Sequence, residues 1–98
     1  MFARVINVEL DPGDIEKAIS IYGDSVIPAS KQREGFVGAL LLGDRNTGKG
    51  ISITMWDSEE HLKAGEQSGF TQEQIAKFAQ LLKGTPAIEG LEVLIKAL

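Results

Sequence analysis

The segment GFVGALLLGDRNTGKGISITMW, residues 35–56, constrains the fold more than any other part of the chain. Residues 35–43 form a near-continuous apolar run bounded by glycines, the composition of a strand buried on both faces. Residues 49–56 alternate instead, with Ile51, Ile53 and Met55 on one side and Ser52, Thr54 and Trp56 on the other. Two such strands joined by a short polar connection predict an antiparallel hairpin. The rest of the chain must then build on one sheet.

The connection, GDRNTGKG, also satisfies G-x-x-x-x-G-K, the opening of a nucleotide-cradling loop. A phosphate loop needs a helix directly after it, with its N-terminus facing the anion, and a Ser or Thr after the lysine. Residue 50 is glycine, and residues 51–56 alternate as a strand with β-branched members. Asp44, Asn46 and the glycines suit a turn, since they tolerate positive φ. The motif is read as a hairpin, and no nucleotide is expected.

The flanks supply the remaining elements. Residues 2–10, FARVINVEL, read as the first strand, with polar interruptions at Arg4, Asn7 and Glu9. Asp11 then caps a helix with Pro12 at its first position. Ile15, Ala18, Ile19, Tyr22, Val26 and Ala29 recur at helical spacing, and Pro28 is expected to kink or end that helix near Ile27. After the hairpin, Asp57 with Glu60 has the form of a capping box, and Gly65 and Gly69 are expected to break the short helix it opens. Thr71 with Gln74 repeats the signal for a helix reaching Lys83, and Gly84 and Pro86 stop it. IEGLEVLIK, residues 88–96, closes the chain as strand four.

The order βαββαβ predicts an α+β fold: a ferredoxin-like plait with a four-stranded antiparallel sheet and helices on one face. At 98 residues the chain reads as a single domain spanning 1–98, with no linker or repeat. The helix-free face would be strongly apolar, with Phe36, Leu40 and Leu42 opposed to Val37, Ala39 and Leu41 on strand two, and Leu91, Val93 and Ile95 on strand four. Monomers rarely leave such a face in water, so a homodimer joined sheet on sheet is expected.

Composition removes several classes of function. Net charge is −4 with scattered basic residues, which argues against nucleic acid and anionic membranes as partners. There is no cysteine and one histidine, so a metal site is not expected. The N-terminus lacks a secretory pattern and no stretch approaches a membrane span, so a cytoplasmic location is the default reading.

Three residues stand out for chemistry. Trp56, the sole tryptophan, either plugs the gap between sheet and helix or walls a pocket beside Ser52 and Thr54. Asn7, in an apolar strand, either bonds a neighbouring loop or points into that cavity. His61 is the one side chain poised to titrate near neutrality, either as a surface residue or as a base. Asn7, Trp56 and His61 are the candidate catalytic set, and Ser52, Thr54 and Tyr22 the candidate substrate pocket.

The runs MWDSEEHLKA and REGFVGALLL resemble the antibiotic biosynthesis monooxygenase-like family of dimeric α+β barrels, through Gly35-Phe36 and Trp56-Asp57-Ser58-Glu59-Glu60. The resemblance implies substrate held between sheet and helices, and cofactor-free oxidation of an aromatic or quinone-type compound, with Trp56 and Asn7 at matching positions. A haem-degrading branch also uses a histidine on a later helix. Residues 71–83 contain none and His61 lies in a different element, so no cofactor is expected. Two readings stay open: a metal-free oxygenase-like enzyme, and a non-catalytic dimeric domain that binds a small planar ligand or serves in stress.

Overall fold

The structure, a computed structural model, describes residues 1–98. Four strands, β1 (Phe2–Glu9), β2 (Phe36–Gly43), β3 (Lys49–Trp56) and β4 (Ala87–Glu92), form one sheet in the order β2-β3-β1-β4. All pairings are antiparallel. Helices α1 (Ile15–Ile21), α2 (Ile27–Lys31), α3 (Glu59–Gln67) and α4 (Phe70–Ala76) complete the βαββαβ plait. The predicted fold class is the one observed.

The turn between β2 and β3 is built by Asp44. Its carboxylate accepts the amides of Asn46 (2.8 Å) and Thr47 (3.2 Å), and its backbone amide donates to the Lys49 carbonyl (2.8 Å). Gly48 sits at φ +83 with its α-carbon against the Leu10 carbonyl, where any side chain would collide. The amides that a phosphate would need are already committed to the hairpin.

Several boundaries differ from expectation. The first helix does not end near Ile27. A π-helical turn, Tyr22–Val26, joins α1 to α2, and Ile27 N–H reaches back five residues to the Tyr22 carbonyl. The widened turn absorbs Pro28, which has no N–H to give, so the helical path continues to Lys31. Ser58 rather than Asp57 caps α3, its hydroxyl accepting His61 N–H at 3.2 Å. The helix runs through a buried Gly65 and breaks only at Gly69, whose φ is +81. Gly69 is also the N-cap of α4, so Thr71 lies inside that helix, which stops at Ala76 rather than Lys83. Strand β4 ends at Glu92, with Leu94, Ile95 and Leu98 exposed beyond it.

Strand β2 is not buried on both faces in the single chain. It is an edge strand on which Leu40, Leu41 and Leu42 are each well exposed. A bulge also interrupts its pairing: Phe36 pairs with Trp56 and Gly38 with Met55, leaving Val37 as the extra residue. One extra residue inverts the alternation, so Phe36 shares the face of Trp56 and not that of Leu40 and Leu42. The helix-free face therefore carries Leu40 and Leu42 from β2, Ile51, Ile53 and Met55 from β3, and Leu91 from β4.

Candidate functional site

On the helical side, β1 presents Arg4, Ile6 and Val8, and β3 presents Ser52, Thr54 and Trp56. Tyr22 and Val26 come down from the π turn, and Thr71, Gln74 and Phe78 from α4 and the chain after it. The two layers do not fill the space between them. A cavity of about 250 Å³ remains, with a mostly apolar lining. Pockets of this kind, apolar with a few convergent polar groups, are the usual setting for small-molecule binding.

Trp56 closes one end. It is only 4% exposed, its ring meets Phe36 edge-on at 5.7 Å and 76°, and Nε1 donates to Thr54 Oγ1 at 3.1 Å. The ring is packed core, with a small part of its surface in the cavity lining. Across the cavity the Tyr22 hydroxyl hydrogen-bonds Ser52 Oγ at 2.9 Å and donates to the Leu40 carbonyl at 3.4 Å. Burial pushes the Tyr22 phenol above its ordinary value of 10.0. It stays protonated near neutral pH, a donor rather than a base.

Ser52, Thr54, Tyr22 and Trp56 are thus brought together as the sequence suggested. Asn7 is not. Its register partners are Ile51 and Ala87, which puts it on the helix-free face, away from Trp56. Strand alternation decides this: Asn7 is three residues from Arg4, so only one of the two can face the helices.

His61 is also outside the cavity. Its Nδ1 lies 2.6 Å from Asp57 Oδ1 and its Nε2 3.6 Å from Glu34 Oε1. The hydrogen bond to Asp57 raises the His61 pKa above 6.5, and the same bond lowers that of Asp57 below 3.8. Gly35, at φ +85, passes so close beneath this pair that a β-carbon would strike the imidazole. Asp57 N–H donates to the Gly35 carbonyl at 2.9 Å, and Phe36 pairs with Trp56. The Gly-Phe and Trp-Asp motifs are two halves of one contact.

The residue that sequence reading passed over is Arg4. Its side chain is 7% exposed and lines the cavity directly opposite Thr54. Nη1 lies 2.8 Å from Glu66 Oε1, while Nη2 is buried with no hydrogen-bond partner.

No protein-family profile matches the chain. Among solved structures, the monooxygenase from the gene ActVA-Orf6 of Streptomyces coelicolor, in complex with the ligand Nanaomycin D, matches at TM-score 0.79 and 17% identity, covering 99% of this chain and 90% of that one. The heme-degrader MhuD of Mycobacterium tuberculosis, with two hemes in its active site, matches at 0.74 and 18%, covering 99% of each chain. An antibiotic biosynthesis monooxygenase matches at 0.72 and 11%, covering 97% of this chain and 100% of that one. At these identities the likeness is one of fold, and the chain has the fold of the antibiotic biosynthesis monooxygenase-like proteins. Among curated proteins, the uncharacterized Rv2557 of Mycobacterium tuberculosis is 29% identical over 97 residues, 95% of this chain. The chain spans only 41% of that relative's length.

Proposed function

We propose that this is a monooxygenase-like small-molecule protein that takes a planar aromatic or quinone-type compound into the cavity beside Trp56. The observation that carries the proposal is the cavity itself: an apolar slot with an indole wall and hydroxyls from Tyr22, Ser52 and Thr54 along one side. A flat ring stacks on the tryptophan while one of its oxygens meets the Thr54 hydroxyl, whose Oγ1 accepts from Trp56 and keeps its own proton to donate.

Oxidation there needs no cofactor if the substrate is itself the reductant. A phenol and O2 give a quinone and water: one oxygen atom enters the ring, and the other leaves with the two hydrogens lost. The chain's residues then serve to orient the ring and exclude water. Haem does not fit as a group held here. Haem iron takes His, Cys, Met or Tyr, and the lining offers only Tyr22, whose hydroxyl is held by Ser52 and Leu40.

One observation favours the second reading, a non-catalytic ligand-binding or stress-related domain: no histidine or carboxylate lines the cavity to act as a base. The same experiment separates the two. Quinones and polyphenols are titrated against Trp56 emission, and oxygen uptake is followed with every binder. Quenching with stoichiometric oxygen uptake and quinone formation supports the oxygenase, and quenching alone supports the binding domain. If no compound quenches, the cavity is not a binding site.

The proposal includes a second copy as partner, sheet on sheet, with the chain acting as one cytoplasmic domain. Leu42 and Leu91, 47% and 51% exposed, lie at opposite edges of the helix-free face, with Ile51, Ile53 and Val5 between them. A face of this kind matches the apolar interfaces of obligate dimers. Nucleotides and nucleic acids are not among the proposed ligands. No helix is long and apolar enough to cross a membrane.

A further inference from the structure

Two charged residues line the cavity, Arg4 and Arg45, and both are cationic. No aspartate, glutamate, lysine or histidine joins them, although the chain as a whole carries a net charge of −4. The two arginines are held differently. Arg45 is exposed on the hairpin turn and pairs with Glu16 at the rim. Arg4 is inside.

The surroundings of Arg4 make it more than a strand residue that tolerates burial. Its one ionic partner, Glu66, is 45% exposed, so water shares that carboxylate. The guanidinium has five N–H donors, and Nη2 is buried without an acceptor. A buried polar group left without a partner is rare in a folded protein and calls for a cause. The guanidinium leans over Gly90, the register partner of Arg4 on β4, where a β-carbon would come within 3.3 Å of Nη1. A positive charge with a donor to spare therefore stands in the cavity lining, on the β4 side of β1.

We infer that Arg4 forms an anion subsite, and that the ligand is a planar ring bearing an anionic oxygen, such as an ionised phenol, enol or carboxylate. The inference rests on the cavity being the binding site and adds the charge its ligand must carry. A guanidinium favours a ligand carboxylate or enolate over a neutral isostere because charge-assisted hydrogen bonds are about twice as strong as neutral ones. Glu66 competes for the same guanidinium, so it weakens the anion's hold.

The test uses 2-hydroxy-1,4-naphthoquinone, which is ionised at neutral pH, and its neutral 2-methoxy ether, a near-isostere. Both are titrated by calorimetry and by Trp56 quenching. Wild type should bind the hydroxyquinone about tenfold or more tightly than the ether. Arg4→Gln should abolish that preference. Glu66→Gln, at a half-exposed position, should strengthen binding of the anion and leave the ether unchanged, which an ion pair of purely structural value would not do. Equal binding of both quinones by wild type overturns the anion subsite and leaves the cavity as a binding site. So does a Glu66→Gln variant with unaltered preference. Binding of neither quinone overturns both.

Discussion

Trp56 is where packing and binding meet, and truncating it measures both. The ring is 4% exposed, makes one edge-on contact with Phe36 and donates one hydrogen bond to Thr54. Removing a fully packed large aromatic costs about 3–5 kcal/mol. Of this the aromatic pair accounts for about 1 kcal/mol and the hydrogen bond for about another. At 4% exposure little of the ring borders open space, so the cost of Trp56→Ala belongs within that range, about 3–5 kcal/mol. Trp56→Phe keeps most of the contact with Phe36 and should lose only about 1 kcal/mol, mainly the indole hydrogen bond.

The assay is urea unfolding followed by far-UV circular dichroism, at one fixed protein concentration because a dimer's stability depends on it. A loss beyond about 5 kcal/mol for Trp56→Ala would mean a ring packed on all sides, and the cavity beside it would be fictitious. A loss below about 1 kcal/mol would mean that the contacts with Phe36 and Thr54 hold nothing together. Trp56→Phe should also bind quinones more weakly than wild type. Undiminished binding by that variant would remove the indole from the proposed site.

Two further outcomes are expected. Leu42→Glu or Leu91→Glu should dissociate the proposed dimer and expose an unstable monomer; a wild-type chain that light scattering finds stably monomeric at micromolar concentration refutes the interface. The Asp57–His61 pair should stabilise the fold between the ordinary values of its members, 3.8 and 6.5. The raised pKa of His61 means its share is fully present below 6.5 and is lost as pH climbs through the raised value; the lowered pKa of Asp57 means its share is lost as pH falls through that value. The melting deficit of His61→Gln should therefore be larger near about pH 5.5 than near about pH 9, and the single imidazole resonance of wild type should titrate above about 6.5. A deficit independent of pH speaks against the pair.

The plait was legible because its signals are local. Alternation in residues 51–56, the Asp44 turn and the helical spacing of Ile15, Ala18 and Tyr22 each act over a few residues. What escaped the sequence depends on one residue acting at a distance. Val37 adds a bulge that turns Phe36 toward Trp56, and nothing in the run GFVGALLLG marks which residue is extra. Pro28 reads as a kink or end of the helix, and the path does depart from α just ahead of it, in a π turn wide enough to keep the proline in the helix. The capping boxes slipped by one or two positions because Ser58 and Gly69 compete with Asp57 and Thr71 for the same role.

The candidate site turns on a similar ambiguity, that of parity in β1. Phe2, Ile6 and Val8 make one face apolar, and Ala3 and Val5 make the other so, which leaves Arg4 and Asn7 equally eligible to face the helices. Propensity cannot choose between them, because both faces of this strand are covered or coverable. The choice comes from β3, where Ser52, Thr54 and Trp56 share a face, and from a register that sets Arg4 against Thr54. A one-residue slip of that register would bring Asn7's face to the cavity and expel the guanidinium. Such a cavity would be neutral at this point and would favour an uncharged ligand. The pairing of Arg4 with Thr54 thus determines the charge of the ligand as well as the packing of the sheet.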